Sequence, residues 1–307
     1  MTHLPEKTAI QANLSEGTPG VFAPSGESAR FEFGAASHVG KVRGNNEDHY
    51  AISRRSRSRE VLFTNVDAAP AQTLTEEHAY VLIVADGVGG RGFGELASEL
   101  VLRTGWELSD RATSWVMKFD PKEWETIRER ILAYTTQIQE ALVEYAQLDP
   151  KLAGMGTTWT CAYLMGADGV LGHVGDSRAY SYRAGALTQL SHDHTFAQEL
   201  IDLGMPPEDT RRFKHVLTNS FGARGEPVRA QVERISLEDG DRLLLCTDGL
   251  SDMVSDAEIA EILGATPGPQ RACDALIDRA LAAGGKDNVT VLLADIHLEP
   301  NDSTPPA

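Results

Sequence analysis

Acidic residues stand beside predicted buried strands at several points of this sequence. Asp86 ends the apolar run AYVLIVA, and Asp248 follows the run LLLCT; a glycine comes directly after each. Asp176 lies just beyond the strand VLGHV, and Asp287 lies just before the strand VTVLLADI. A single Asp-Gly pair after a strand is typical of a turn. Four acids at strand margins indicate instead that these strand ends could form one shared site.

The chemistry of such a site follows from its charge. If the strand margins meet at one end of the fold, four carboxylates lie close together and repel one another by on the order of several kcal/mol at low dielectric. A cation must then balance them. Oxygen donors without cysteine favour hard divalent cations such as magnesium or manganese. For any one acid alone, a separate turn or cap remains the better explanation.

The elements that must position these acids can be predicted from β-branched content and hydrophobic periodicity. Helices are predicted after Pro121 (with Asp120 as N-cap), after Gly94, and at 256–264 and 268–283. Strands are predicted at YVLIVA, TWTCAYLM, VLGHV, RAYSYR, VRAQVERISL, RLLLC and VTVLLADIHL, with hairpin turns at 166–169 and 183–185. Continuous apolar strands need cover on both faces. The predicted fold class is therefore α+β: two packed antiparallel β-sheets flanked by helices, a four-layer αββα sandwich.

Composition excludes several classes of protein. The chain has 307 residues and a formal net charge of −17, which argues against a nucleic-acid-binding protein. No apolar run approaches the ~20 residues of a membrane span, and the N-terminus lacks the features of a signal peptide. The cysteines, Cys161, Cys246 and Cys273, are odd in number and far apart, which favours buried thiols in a reducing compartment. We expect a cytoplasmic protein without membrane attachment.

The ends of the chain differ from its middle. Residues 1–30 are rich in Ser, Thr, Glu, Gly and Pro and are expected to form a flexible tail, as are residues 299–307. Residues 31–298 are expected to form one domain. The basic cluster RRSRSR at 54–59 is expected at the tip of a hairpin, where it could dock a phosphorylated partner or be phosphorylated itself.

Seven motifs, taken in order, resemble those of the metal-dependent protein phosphatase family, the type 2C serine/threonine phosphatases, and especially its bacterial branch. Any one motif is weak, but seven in one order are specific. The resemblance covers about residues 31–297. The motifs are GKVRGNNED, VADGVGG followed by GELAS, GMGTTWT, GHVGDSRAYSYRAGALTQLSHDHT, LTNSFGA, LLLCTDGLSDMVS and GGKDNVTV.

The resemblance implies a metal-binding role for each acid of the shared site. Asp86 would bridge two metal ions, and the carbonyl of Gly87 would contact one of them. Asp248 and Asp287 would hold the other metal, which makes these two and Asp86 the implied catalytic residues. Asp176, together with Asp248, would bind a third metal. The implied cofactors are two or three divalent cations, manganese or magnesium.

The resemblance also assigns residues around the metals. Arg43 would bind the substrate phosphate, because a planar guanidinium can donate to two phosphate oxygens at once. Glu47 and Asp48 would order metal-bound water. Val88 stands where many eukaryotic members have a histidine proposed as general acid, so that acid is left unassigned. Arg91 stands where bacterial members often have a histidine.

The function implied is hydrolysis of phosphoserine and phosphothreonine on proteins. A metal-bridging water would attack phosphorus, and a mobile flap, roughly Thr195 to Leu217, would lie beside the site. The expected partners are phosphorylated proteins, namely a cognate bacterial eukaryotic-like kinase and its substrates. No nucleic acid or membrane partner is expected, and we expect a monomer.

Two alternatives stay open. One is a catalytically silent module that recognises phosphoproteins, which the retention of every implied metal ligand argues against. The other is a phosphatase of narrow specificity that acts on one anti-sigma-antagonist protein or one secretion component. It shares the chemistry and differs only in its partner.

Overall fold

Two antiparallel sheets, packed face to face, form the middle of the fold. The computed structural model describes residues 28–59, 75–89, 93–111, 124–222 and 225–299. One sheet has five strands in the order β1-β12-β11-β7-β8; the other has seven, in the order β10-β6-β5-β3-β4-β9 with β2 beside β3. The strands are β1 (Ser28–His38), β2 (Asp48–Arg59), β3 (Thr75–Val88), β4 (Gly156–Thr157), β5 (Trp159–Met165), β6 (Asp168–Val174), β7 (Arg178–Arg183), β8 (Ala186–Gln189), β9 (Phe221–Gly222), β10 (Gln231–Ser236), β11 (Arg242–Cys246) and β12 (Val289–Glu299).

Helices cover the outer faces of both sheets. The helices are α1 (Phe93–Arg111), α2 (Trp124–Gln147), α3 (Phe196–Asp202), α4 (Pro207–Thr210), α5 (Asp248–Ser251), α6 (Asp256–Ala265) and α7 (Pro269–Ala282), with 3₁₀ turns at Pro150–Gly154 and Arg211–Phe213. Helices α1 and α2 pack on the seven-stranded sheet, and α6 and α7 pack on the five-stranded sheet. The predicted α+β sandwich with four layers is confirmed.

The apolar strands are continuous because each has two buried faces. Along β11, Leu243 and Leu245 point between the sheets, whereas Leu244 and Cys246 point toward α6 and α7. All four side chains are at most 1% exposed. A strand buried on both sides cannot alternate apolar with polar residues, so the change to Asp248 after this strand marks the point where the chain leaves the sheet.

The structure confirms most predicted elements and adds others. Helices α1, α6 and α7 lie where the sequence predicts them, and α2 is described from Trp124; the predicted N-cap Asp120 lies outside the described residues. Strand β1 was not predicted, and neither were α3 and α4, which are too short to show a clear period. Strand β1 begins at Ser28, slightly inside the predicted tail.

The basic cluster at 54–59 does not form a hairpin tip. It is the second half of β2 and pairs with β3 from Arg54↔Tyr80 to Arg59↔Thr75. The prediction was wrong because alternating Arg and Ser carry no apolar signal, while backbone pairing with β3 continues to the end of the cluster. Within the described ranges, no helix has the length and apolar character needed to cross a membrane.

Candidate metal centre

Five aspartates from separate elements meet at one end of the sandwich. Asp86 lies near the end of β3 and pairs in register with Asp48, the first residue of β2. Asp176 follows β6, Asp248 opens α5 directly after β11, and Asp287 precedes β12. The structure therefore brings together every acid that the sequence predicts at a strand margin.

Burial and crowding disturb the titration of these acids. Burial, followed by the charges of the neighbouring aspartates, raises the pKa of Asp86 and of Asp176 well above the usual carboxyl value. The same causes raise the pKa of Asp248 to about 6, and burial raises that of Asp48 to about 7 despite two hydrogen bonds that lower it. Without a cation, the protein must protonate these carboxyls or tolerate their repulsion.

Two carboxylate oxygens of this cluster lack a hydrogen-bond donor. Oδ1 of Asp48 and Oδ1 of Asp248 are buried and have no partner among the described residues. Buried polar atoms are nearly always satisfied in native proteins. A set of hard oxygen donors with unsatisfied lone pairs fits a divalent cation such as Mg²⁺ or Mn²⁺.

Two glycines allow the loops of the centre to approach one another. A Cβ at Gly87 would lie 2.2 Å from the carbonyl oxygen of Gly94, at the start of α1. A Cβ at Gly249 would lie 1.8 Å from the carbonyl oxygen of Asn288. No other residue type fits either position without moving backbone, which explains why each Asp is followed by Gly.

Hydroxyl groups hold the backbone of Asp86. Its N–H donates to Oγ1 of Thr158 at 2.9 Å, and its carbonyl accepts from the hydroxyl of Thr157 at 2.9 Å. Oγ1 of Thr158 also lies 2.7 Å from the hydroxyl of Ser177, the residue after Asp176. Thr158 therefore links the end of β3 that carries Asp86 to the loop that carries Asp176.

The side chain of Asp48 connects three strands. Its Oδ2 accepts the hydroxyl of Thr247 at 2.9 Å and that of Thr290 at 2.7 Å. Thr247 immediately precedes Asp248, so this carboxylate fixes the turn after β11. Asp48 is predicted to order water, and its side chain also holds the turn after β11, a structural role that the sequence did not indicate.

Asn288 is a further residue that the sequence analysis did not select. Its side-chain amide donates to the carbonyls of Val39 and Asn45 at 2.9 and 2.8 Å, and its Oδ1 accepts the N–H of Glu47 at 2.8 Å. Asn288 is only 6% exposed. It therefore fixes the loop that carries Arg43 to the start of β12. In the sequence, only its position beside Asp287 could have indicated this role.

Arg43 and Glu47 lie at the rim of the cluster. Nη2 of Arg43 is 2.6 Å from Oδ2 of Asp287, and this contact raises the pKa of the guanidinium. Burial raises the pKa of Glu47, which the charge of Arg43 partly offsets. Val88 is partly buried, and Arg91 lies outside the described residues.

A cavity of about 80 Å³ opens beside the aspartates. Asp176, Asp248 and Asp252 line it together with residues of α3 and α4. Ligand atoms of His215, Asp248 and Asp252 lie within 4.8 Å of one another. The third-metal position predicted at Asp176 and Asp248 therefore has two more potential ligands nearby, Asp252 and His215.

Comparisons with known proteins give the family. The family model described as protein phosphatase 2C matches residues 64–283. The chain is 32% identical to the serine/threonine phosphatase stp of Listeria innocua over 262 residues, which are 84% of this chain and 93% of that protein. It is 34% identical to the serine/threonine protein phosphatase PstP of Mycobacterium tuberculosis over 265 residues, 86% of this chain and 45% of that longer protein.

Solved structures agree with this assignment. The catalytic domain of the serine/threonine phosphatase PstP, solved in complex with two manganese ions, matches with a TM-score of 0.67 and 33% identity, covering 88% of this chain and 100% of that one. The sandwich fold and the clustered aspartates agree with the matching family model and with the relatives above 30% identity. The chain belongs to the protein phosphatase 2C family, the metal-dependent serine/threonine phosphatases, and is similar to its bacterial members.

Proposed function

We propose that this chain removes phosphate from phosphoserine and phosphothreonine residues of proteins, using two or three divalent cations. The observation that supports this most is the meeting of Asp86, Asp248 and Asp287 at one end of the sandwich, with a buried oxygen of Asp248 left unsatisfied. The named relatives are serine/threonine phosphatases, and the PstP catalytic domain binds two manganese ions.

Each acid has a part in holding the ions under this proposal. Asp86 and the carbonyl of Gly87 would contact them from β3, and Asp248 and Asp287 would contact them from the ends of β11 and β12. Asp176 would contribute to a third position. When bound, such ions lower the pKa of water and neutralise charge on phosphoryl oxygens.

The other side chains position the substrate and the loops. Arg43 is exposed enough to bind a phosphate, and its planar donors suit two phosphoryl oxygens. Asp48 holds the turn at Thr247, and Asn288 holds the loop at Glu47, so the ends of three strands keep a fixed spacing. Val88 has no proton to give, so the proton for the leaving serine or threonine oxygen must come from another group.

The proposal also covers setting and partner. We propose that residues 31–298 are the phosphatase domain, that the protein acts as a monomer in the cytoplasm, and that it opposes a serine/threonine kinase. Three free cysteines support a reducing compartment.

Phosphate release from a phosphothreonine peptide tests this proposal, measured with manganese and with chelator. The wild type should show metal-dependent release, and Asp248→Asn should lose at least about a hundredfold in kcat/KM, because one charged ligand of the ions is gone. Asp274→Asn, in an exposed part of α7, is the matched control and should keep full activity. Metal binding seen by calorimetry without any release would favour a silent phosphoprotein-binding module.

A further inference from the structure

The flap, residues 195–217, is closed at its base. Thr195 and Leu217 form an isolated β-bridge, and the N–H of Phe196 donates to the carbonyl of Val216 at 2.8 Å. The ring of Phe196 meets the ring of Phe213 edge-on, with centroids 5.1 Å apart. These contacts give the segment after α4 a defined place.

That segment borders the candidate metal centre. Lys214 Nζ lies 3.9 Å from one carboxylate oxygen of Asp252, and His215 Nδ1 lies 3.5 Å from the other. The N–H of Asp252 donates to the carbonyl of Asp248 at 2.8 Å. Lys214 and His215 therefore reach the acids beside the predicted metal ligand Asp248.

Arg211 and Arg212 stand exposed on this segment. In the part of the chain that the structure describes, neither guanidinium forms an ion pair; the nearby acids Glu208 and Asp209 form none with them. The guanidinium of Arg212 lies over the ring of Phe213, 4.6 Å from its centroid. This contact restricts the side chain of Arg212. On a chain of net charge −17, two such cations in the segment that leads to Lys214 at the cavity suit an anionic partner.

Other cations lie near Asp287. Lys41 is exposed, and its backbone N–H donates to the carbonyl of Gly285 at 2.7 Å. Gly285 is followed by exposed Lys286 and then by Asp287, which pairs with Arg43. The acid cluster therefore has cations at two places, Lys214 near Asp252 and Arg43 at Asp287.

We propose that Arg211 and Arg212 bind acidic side chains that flank the phosphorylated residue, so that the preferred substrates are acidic phosphopeptide segments. This rests on the proposed phosphatase function. Arginine suits the task because its planar donors match a carboxylate in two-point contact.

Two phosphothreonine peptides test the proposal, identical except that the flanking positions carry Asp and Glu in one and Ala and Gln in the other. The wild type should prefer the acidic peptide in kcat/KM by about three- to tenfold at low salt, the size expected for two exposed charge pairs. High ionic strength should reduce that ratio.

Variants assign the preference to the flap. Arg211→Glu/Arg212→Glu should bring the ratio to one or below. Arg128→Glu/Arg271→Glu changes the net charge equally in α2 and at the far end of α7, and should keep the ratio. If the glutamate variant fails to fold, as judged by thermal unfolding, Arg211→Gln/Arg212→Gln decides, with an expected ratio near one.

The outcomes separate the two proposals. A wild-type ratio near one, a ratio kept by the flap variants, or a ratio lost in the control variant overturns the role of Arg211 and Arg212 while leaving the phosphatase function in place. Failure of the wild type to hydrolyse either peptide with manganese present overturns both.

Discussion

The guanidinium of Arg43 lies 2.6 Å from the carboxylate of Asp287, a residue 244 positions further along the chain. The first residue is predicted to bind phosphate and the second to bind a metal ion. Arg43 and a metal ion therefore compete for the carboxylate of Asp287. When Asp287 binds the metal ion, the guanidinium of Arg43 becomes available to bind a phosphate.

Arg43→Ala should have opposite effects on substrate and metal. We expect kcat/KM for a phosphothreonine peptide to fall roughly ten- to a hundredfold, because hydrogen bonds to a charged group are worth about 1.5–3 kcal/mol. Affinity for manganese, measured by calorimetry, should rise about two- to fivefold, since an exposed ion pair of up to about 1 kcal/mol no longer competes for Asp287.

Arg43→Lys is the matched control for this prediction. It keeps the charge and loses the two-point geometry, so it should restore the wild-type metal affinity and only part of the activity. Weaker manganese binding in Arg43→Ala would contradict the competition between arginine and metal.

Asp248→Asn should stabilise the metal-free protein. The pKa of Asp248 is raised from 3.8 to about 6 in the fold, so the folded protein binds more protons than the unfolded chain between these values. Stability that is present at low pH is then lost as the pH rises through about 6. With chelator at pH 8, the free energy of unfolding of the variant should exceed that of the wild type by on the order of 1–3 kcal/mol.

The gain should disappear below about pH 4, where the wild-type carboxyl is protonated in both states. Denaturant titrations at several pH values measure it, and Asp274→Asn serves as an exposed control. A variant that is no more stable than wild type at pH 8 would mean that neither burial nor the neighbouring aspartates destabilise the charged form of Asp248 in the metal-free fold.

The sequence predicted the acids of the site because their signal is local. An apolar run that stops at Asp-Gly can be recognised within ten residues, and both close-packed glycines follow from it. Asn288, Thr247 and Thr290 could not be selected in this way, because their partners lie far away in sequence, in another strand or in a loop. The contact between His215 and Asp252 was not predicted, for the same reason.

Acid should destabilise the protein through His173, which is fully buried. The hydroxyl of Thr160 donates to the carbonyl of Ser177, so Nδ1–H of His173 donates to Thr160, and Nε2 has no partner among the described residues. Burial, and then the neighbouring charge of His194, lowers the pKa of His173 to about 3. Protonation therefore favours the unfolded chain, and stability is lost as the pH falls below about 6.5.

His173→Asn keeps a donor toward Thr160 and removes the titration. Between pH 7 and pH 5, the wild type should lose about 2 kcal/mol more unfolding free energy than this variant, as measured by denaturant titration with manganese present. His297→Asn, on an exposed part of β12, should follow the wild-type curve. Parallel curves for wild type and His173→Asn would rule out this histidine as the source of acid sensitivity.

Asn288→Ala should weaken both the fold and metal binding. The substitution leaves two carbonyls and the N–H of Glu47 without their partner, and unpaired buried polar groups cost about 1–3 kcal/mol each, so we expect a loss of roughly 2–4 kcal/mol in unfolding free energy. Manganese affinity should fall with it, because the loop bearing Arg43 and Glu47 is no longer fixed beside Asp287. Asn45→Ala loses a single exposed contact with Glu95 in the same loop, and should stay within about 0.5 kcal/mol of the wild type. If Asn288→Ala is as stable as Asn45→Ala, Asn288 does not hold this loop in place.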